Sequence, residues 1–175
     1  MASKVQGGAN RWRIVGWGTA VALILTPLIA MQFTRDVDWT AGDFLFAVVL
    51  IGGVGAAFEL AVRRSHSPAY RAGIAFALAA AFLIVWANGA VGMIGPEGNP
   101  YNLYFYGVIL VALIGAVIAR FRPSGMSWAM GFAAVAQAVV SGGGLYGDPR
   151  GGLFSLAFAG LWLGSAAFFG KAARS

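Results

Sequence analysis

Long apolar runs alternate with short polar segments along the whole chain. A helix needs about 20 apolar residues to cross the hydrocarbon core of a bilayer, and four runs reach or approach that length. Two weaker runs follow, separated by the segment GGGLYGDPRGG, and they form either two short spans or a re-entrant hairpin. The predicted spans are residues 14–33, 44–62, 72–94, 104–119, 127–141 and 153–169. The pattern therefore predicts an all-α fold, a polytopic transmembrane helix bundle with six spans.

The same pattern gives a simple domain organisation. A basic segment, residues 1–13, precedes a single transmembrane helical domain, residues 14–169, and residues 170–175 form a short tail. Composition agrees, because 59% of the residues are hydrophobic and only 10% are charged. A soluble domain carries about 25% charged residues, so this chain has too few charges to cover a water-exposed surface.

Residue usage excludes several kinds of chemistry. The chain has no cysteine, which rules out disulfides, Cys–zinc sites and iron–sulfur clusters. Its one histidine, His66, lies in a charged loop, and its lysines, Lys4 and Lys171, lie near the chain ends. We therefore predict no cofactor, no metal site and no catalytic residue, and we expect that the protein is not an enzyme.

The basic residues predict the orientation of the helices. With six spans and the N-terminus inside, every Lys and Arg except Arg35 and Arg150 falls on the inner side, and every acid except Glu59 falls at the outer side. An excess of Lys and Arg in cytoplasmic loops is the rule for inner-membrane proteins. Both termini are thus predicted to be cytoplasmic. The net charge of +6 reflects this topology, so the expected partner is the lipid bilayer and not a nucleic acid.

Four segments have the sequence of a helix start. Ser67–Pro68, Asn99–Pro100 and Asp148–Pro149 each place a side-chain acceptor before a proline at the first helical position. The segment from Thr40 to Asp43 is typical of a capping box. These starts reduce the connection before the fourth span to a tight turn, residues 95–98.

Glu59 is the one acid within a predicted span, and acids at such positions are functional candidates by default. It also lies four residues before Arg63, a spacing that forms ion pairs on one face of a helix. A structural pair at the membrane interface and a proton or cation role are both open.

Asn88 and Gln137 are further polar candidates, at similar depth in the outer half of the predicted bundle. Together with Glu97 above them they could line a polar pocket. The simpler interpretation is interhelical hydrogen bonding, which contributes about 0.6 kcal/mol on average in membranes. If the turn after the third span has a function, we expect it in Asn88 and Glu97.

Small residues four apart let helices approach closely. Gly52 with Ala56, and Gly160 with Gly164, have this spacing. They predict helix packing within the chain or contact with a second copy of it.

Five segments within residues 11–125 carry a resemblance, namely AMQFTRDVDWTAGDF, FELAVRR, YRAG, WANGAVGMIGPEGNP and IARFRP. They resemble a family of uncharacterised small multi-pass bacterial inner-membrane proteins. The resemblance implies a location in the bacterial inner membrane and brings no activity with it. Our leading hypothesis is a structural or accessory protein of a membrane assembly, with a membrane-protein partner or as a homo-oligomer. The alternative is a small-solute or ion transporter or channel, with a polar path along Glu59, Asn88, Gln137 and Glu97.

Overall fold

The structure, a computed structural model, describes the backbone of residues 3–175 and the side chains from Arg13 onward, Arg64 excepted. Every regular element in this part of the chain is a helix, which confirms the all-α prediction. The helices are α1 (Ser3–Ala30), α2 (Ala41–Arg64), α3 (Pro68–Ala90), α4 (Leu103–Ile118), α5 (Pro123–Gly144) and α6 (Pro149–Ala172). Helix α1 thus begins inside the predicted basic segment, whose Lys4 and Arg11 side chains lie outside the described residues.

Five helices of the described chain are long and apolar enough to cross a membrane. The apolar stretches are Arg13–Ala30, Ala41–Arg63, Pro68–Ala90, Pro100–Ile118 and Pro149–Ala172. They support a multi-pass membrane protein. Helix α5 has 22 residues but is not among the five, because its glycines, serines and Gln137 lower its average hydropathy.

The three predicted X-Pro caps are confirmed. In each, the side-chain oxygen of the residue before proline accepts a hydrogen bond from a backbone N–H in the first turn of the helix. The pairs are Ser67 Oγ with the N–H of Tyr70 (3.3 Å), Asn99 Oδ1 with that of Tyr101 (3.0 Å) and Asp148 Oδ1 with that of Gly151 (3.0 Å). Asn99 begins a 3-10 turn, Pro100–Asn102, that leads directly into α4.

The predicted capping box at the start of α2 is also confirmed. Thr40 Oγ1 accepts from the N–H of Asp43 at 3.3 Å, and Asp43 Oδ2 accepts from the N–H of Thr40 at 2.8 Å. This reciprocal pair satisfies two backbone donors that a helix start otherwise leaves free.

The predicted end of the third span is wrong. Helix α3 ends at Ala90, not at residue 94, because the backbone turns at Gly92 and Gly95. Their φ angles of 77° and 63° lie in the left-handed region, which glycine adopts without a steric penalty. The first predicted span similarly overruns the end of α1 at Ala30.

The chain divides into two compact units, Met1–Leu60 and Ala61–Ser175. The first contains α1 and most of α2, and Ala47 is the one buried residue among its described side chains. The second contains α3 to α6, in which α6 packs against α3 and α5, and α5 packs against α4. Its core includes the fully buried rings of Phe105, Trp162 and Phe169.

The four small residues proposed for helix packing have different environments. A Cβ atom on Gly164 would lie 2.8 Å from Cδ1 of Phe76, so this glycine allows α6 to approach α3 closely. A Cβ on Gly160 or Gly52 would meet no atom within 4 Å, and Ala56 is exposed. Among these residues, the described structure assigns close interhelical packing to Gly164, and contact with a second copy stays a prediction for the others.

Candidate functional site

The α3–α4 connection is organised by one buried asparagine side chain. Asn102 Oδ1 accepts hydrogen bonds from the N–H groups of Met93 (3.1 Å) and Ile94 (2.8 Å), and its Nδ2 donates to the carbonyl of Pro96 (3.1 Å). Asn102 is only 3% exposed. Its carboxamide therefore takes the place of the helical hydrogen bonds that α3 loses beyond Ala90.

Two more asparagines contribute to the same connection. Asn99 caps the following turn and also donates from Nδ2 to the carbonyl of Ile94 at 3.0 Å. Asn88, in the last turn of α3, donates from Nδ2 to the carbonyl of Asn102 at 3.4 Å. We call the α3–α4 and α5–α6 connections, residues 91–102 and 145–148, the asparagine end of the second unit.

Asp148 joins the two connections of the asparagine end. While its Oδ1 caps α6, its Oδ2 accepts from the N–H of Gly95 at 2.9 Å. These hydrogen bonds, that from Gly151 first and that from Gly95 second, lower the pKa of Asp148 below its ordinary 3.8. A single carboxylate thus holds together segments that are 53 residues apart in the sequence.

Glu97 is exposed in this connection and forms no hydrogen bond or ion pair with another described side chain. Asn88 lies in the last turn of α3, and its amide group donates to Asn102. The acid that does organise this end is Asp148. The sequence identified it as a helix cap, but its bond to Gly95 depends on the packing of α6 beside α3.

Gln137 belongs to a separate buried group between α5 and α6. Its Nε2 donates to the carbonyl of Ser155 at 3.0 Å and lies 3.3 Å from Ser141 Oγ. Ser155 Oγ and Ser141 Oγ are 2.9 Å apart. All three residues are at most 1% exposed, so they hold α5 and α6 together through polar contacts inside the bundle.

Three buried side-chain atoms of the described residues have no protein hydrogen-bond partner: Asn88 Oδ1, Gln137 Oε1 and Trp162 Nε1. Two are acceptors and one is a donor. An ordered water is the usual partner of such groups.

Glu59, in the first unit, has partners that its own helix does not supply. Its Oε1 accepts a hydrogen bond from Arg13 Nη2, and its Oε2 accepts from Trp17 Nε1 at 3.1 Å. The carboxylate therefore links α2 to α1. The pairing with Arg63 that the spacing suggests remains a prediction.

The hydrogen bonds separate the polar candidates of the second unit into two groups. Asn88 joins Asn102 at the asparagine end, whereas Gln137 joins Ser141 and Ser155 between α5 and α6. A transport path would instead need them around one shared polar cavity. No group of three or more His, Cys, Asp or Glu that could hold a metal ion occurs among the described residues. In the described structure, the hydrogen bonds of Asn88 and Gln137 connect helices and the segments between them.

Sequence reasoning missed Asn102, Ser141 and Ser155. Asn102 follows the Asn99–Pro100 cap and looked like an ordinary first-turn residue. Ser141 ends one of the two weaker apolar runs and Ser155 lies in the other. The four-residue spacing of Gln137 and Ser141 was the available signal that these two share a helix face.

No family model, no curated protein and no solved structure matches this chain.

The lowered pKa of Asp148 makes stability dependent on pH. A carboxyl whose pKa is lower in the folded state stabilises it above the unfolded pKa, here about 3.8, and this contribution is lost as pH falls through the folded pKa. We expect the Tm of the detergent-solubilised protein to fall below about pH 3.8, and to fall less in Asp148→Asn. Glu97→Gln should keep the wild-type profile. Equal acid sensitivity in wild type and Asp148→Asn would contradict the role of Asp148.

Proposed function

We propose that this protein crosses a bacterial inner membrane six times, with both termini in the cytoplasm, and serves as a structural or accessory component of a membrane assembly. Five membrane-length helices support the location in a membrane.

The exposed face of α5 supports a sixth crossing. At about 1.5 Å per residue, its 22 residues extend roughly 33 Å, close to the roughly 30 Å hydrocarbon core. Its polar Gln137 and Ser141 are buried within the bundle. Its large exposed side chains at mid-helix are apolar, namely Trp128, Phe132, Val135 and Val139. Gln137 and Ser141, which lower its hydropathy, are therefore not residues that would meet lipid.

The distribution of charge supports the orientation. We call the start of α3, the α4–α5 connection (residues 119–122) and the end of α6 the arginine end of the second unit. The acids of this unit, Glu97 and Asp148, both lie at the asparagine end. Five basic residues lie at the arginine end, namely Arg71, Arg120, Arg122, Lys171 and Arg174, whereas Arg150 lies next to the asparagine end. The positive-inside rule, which counts Lys and Arg, favours a cytoplasmic arginine end.

Single-cysteine labelling tests the six crossings, since the natural chain has no cysteine. A Cβ at Gly98 or Gly147 would meet no atom within 4 Å, and Ser124 is exposed at the other end of α5. In spheroplasts we expect a membrane-impermeant maleimide to label Gly98→Cys and Gly147→Cys, and to label Ser124→Cys only after permeabilisation. Equal labelling of Gly147→Cys and Ser124→Cys would mean that α5 does not cross. Labelling of Ser124→Cys alone would reverse the orientation.

The exposure of the apolar side chains of α1 supports the proposed accessory role. None of residues Arg13–Ala30 is buried, and its large side chains Val21, Leu23 and Leu25 are each more than 40% exposed. Glu59 of α2, Asn88 of α3 and Gln137 of α5 meanwhile each form at least one hydrogen bond within the chain. An apolar helix of this kind has its surface available for another membrane protein.

Photo-cross-linking in native membranes tests this role. A benzoylphenylalanine at Leu25 of α1 is expected to give a discrete protein adduct, identified by mass spectrometry as a partner or a second copy. The matched control is Leu113 of α4, which is 57% exposed and should give no discrete adduct. An absence of protein adducts from Leu25 would indicate that lipid alone surrounds α1 and would contradict the accessory role.

A further inference from the structure

A groove lies at the arginine end of the second unit, between the start of α3 and the end of α6. Its volume is about 350 Å³, and it is lined by Ser67, Pro68, Ala69, Phe168, Lys171 and Ser175. Three of these residues provide an apolar wall, and the Lys171 ammonium provides a positive charge. The groove therefore combines the two properties that an amphiphilic anion requires.

No acidic side chain of its own unit lies near Lys171. The acidic side chains of residues 61–175 are Glu97 and Asp148, at the opposite end of the helices. Lys171 itself is exposed and forms no salt bridge with another described residue.

Neighbouring cations strengthen the positive potential. Arg71 donates from Nε to the carbonyl of Ser65 (2.9 Å) and from Nη2 to that of Val62 (3.2 Å). These partners are neutral backbone groups, so they fix the guanidinium without cancelling its charge. Arg120, Arg122 and Arg174 are exposed at the same end.

We propose that this groove binds the headgroup of an anionic phospholipid, with Lys171 against the phosphate and Phe168 against the glycerol and upper acyl region. Basic pockets at the cytoplasmic end of membrane helices bind such headgroups. The groove lies at the ends of α3 and α6, two of the helices apolar enough to span a bilayer, which is where headgroups are found. The proposal rests on the proposed membrane location and orientation.

The test compares lipids on the purified full chain in detergent, by native mass spectrometry and by Tm. We expect phosphatidylglycerol to bind and raise the Tm more than phosphatidylcholine. Lys171→Ala should weaken phosphatidylglycerol binding about fivefold, which corresponds to the roughly 1 kcal/mol that one basic residue contributes near an anionic surface. Lys171→Arg should retain binding. Arg150→Ala, which removes an exposed cation next to the asparagine end, should bind like wild type.

Three outcomes would overturn the lipid site. The first is equal binding of phosphatidylglycerol and phosphatidylcholine. The second is an equal loss of phosphatidylglycerol binding in Lys171→Ala and Arg150→Ala. The third is a Tm rise with inorganic phosphate as large as that with phosphatidylglycerol, which would indicate a general anion site. Alkaline carbonate extraction separates this failure from that of the proposed function. A chain released from membranes by carbonate contradicts both, whereas a chain that stays in the membrane without lipid selectivity contradicts the lipid site alone.

Discussion

Replacing Asn102 by alanine is expected to lower the free energy of unfolding by about 2–4 kcal/mol. The substitution removes one acceptor that serves two backbone donors, the N–H groups of Met93 and Ile94. Met93 and Ile94 are themselves 1% and 3% exposed, so water cannot readily replace the lost partner. A buried donor without a partner costs about 1–3 kcal/mol. Two such donors at about 1–2 kcal/mol each give the expected range, and the carbonyl of Pro96, an exposed residue, can accept from water instead.

Neighbouring variants make this test specific. Asn99→Ala removes a helix cap and one bond to Ile94, for which a smaller loss of about 1 kcal/mol is expected. Glu97→Ala lies in the same connection and should be neutral, because Glu97 is exposed and has no described partner. Unfolding in mixed detergent and SDS micelles gives the three values. An Asn102→Ala protein as stable as Glu97→Ala would show that the carboxamide does not organise the turn.

The helix starts could be predicted because capping is local chemistry. A side-chain oxygen just before a proline lies within reach of the N–H groups of the next turn, and those of Ser67, Asn99 and Asp148 all accept from them. The class of protein was equally accessible, since apolar length and the scarcity of charge do not depend on which helices touch. Both conclusions need only residues a few positions apart.

The long-range partners could not be predicted in this way. Asp148 accepts from Gly95, and Glu59 accepts from Arg13, 46 residues away. Each of these bonds depends on which helices lie side by side, and a single sequence does not determine that. The four-residue spacing rule predicted Arg63 as the partner of Glu59 because the rule considers only residues of the same helix.

Helix α5 illustrates a related limit. Hydropathy averages all sides of a helix, whereas a bilayer contacts only the exposed side. Gln137 and Ser141 face other helices, and the exposed Phe132 and Val139 are apolar. A weak run in the sequence can thus form a full-length helix whose large exposed side chains are apolar.

The contact between α4 and α5 depends on Gly115, and replacing this glycine is expected to lower the stability of the fold strongly. A Cβ on Gly115 would lie 2.7 Å from Cβ and 3.2 Å from Cα of Ala129. Real Cβ atoms do not approach this closely, and a helix backbone cannot move as a flexible side chain does. Gly115→Ala should therefore separate the helices and destabilise the fold by about 1–3 kcal/mol, the usual cost of overpacking.

Gly107 in the same helix provides the control, because a Cβ there would meet no atom within 4 Å. Gly107→Ala should be neutral or slightly stabilising, since alanine is favoured over glycine within helices by up to about 1 kcal/mol. The double variant with Gly115→Ala and Ala129→Gly places the methyl group on α4 instead of α5, so the clash is removed. This exchange should recover most of the stability lost in Gly115→Ala. If Gly115→Ala and Gly107→Ala are equally stable, or if the exchange recovers nothing, α4 and α5 do not pack through this pair. Recovery by the exchange would identify steric contact between Gly115 and Ala129, rather than helix propensity, as the reason that glycine is needed at this position.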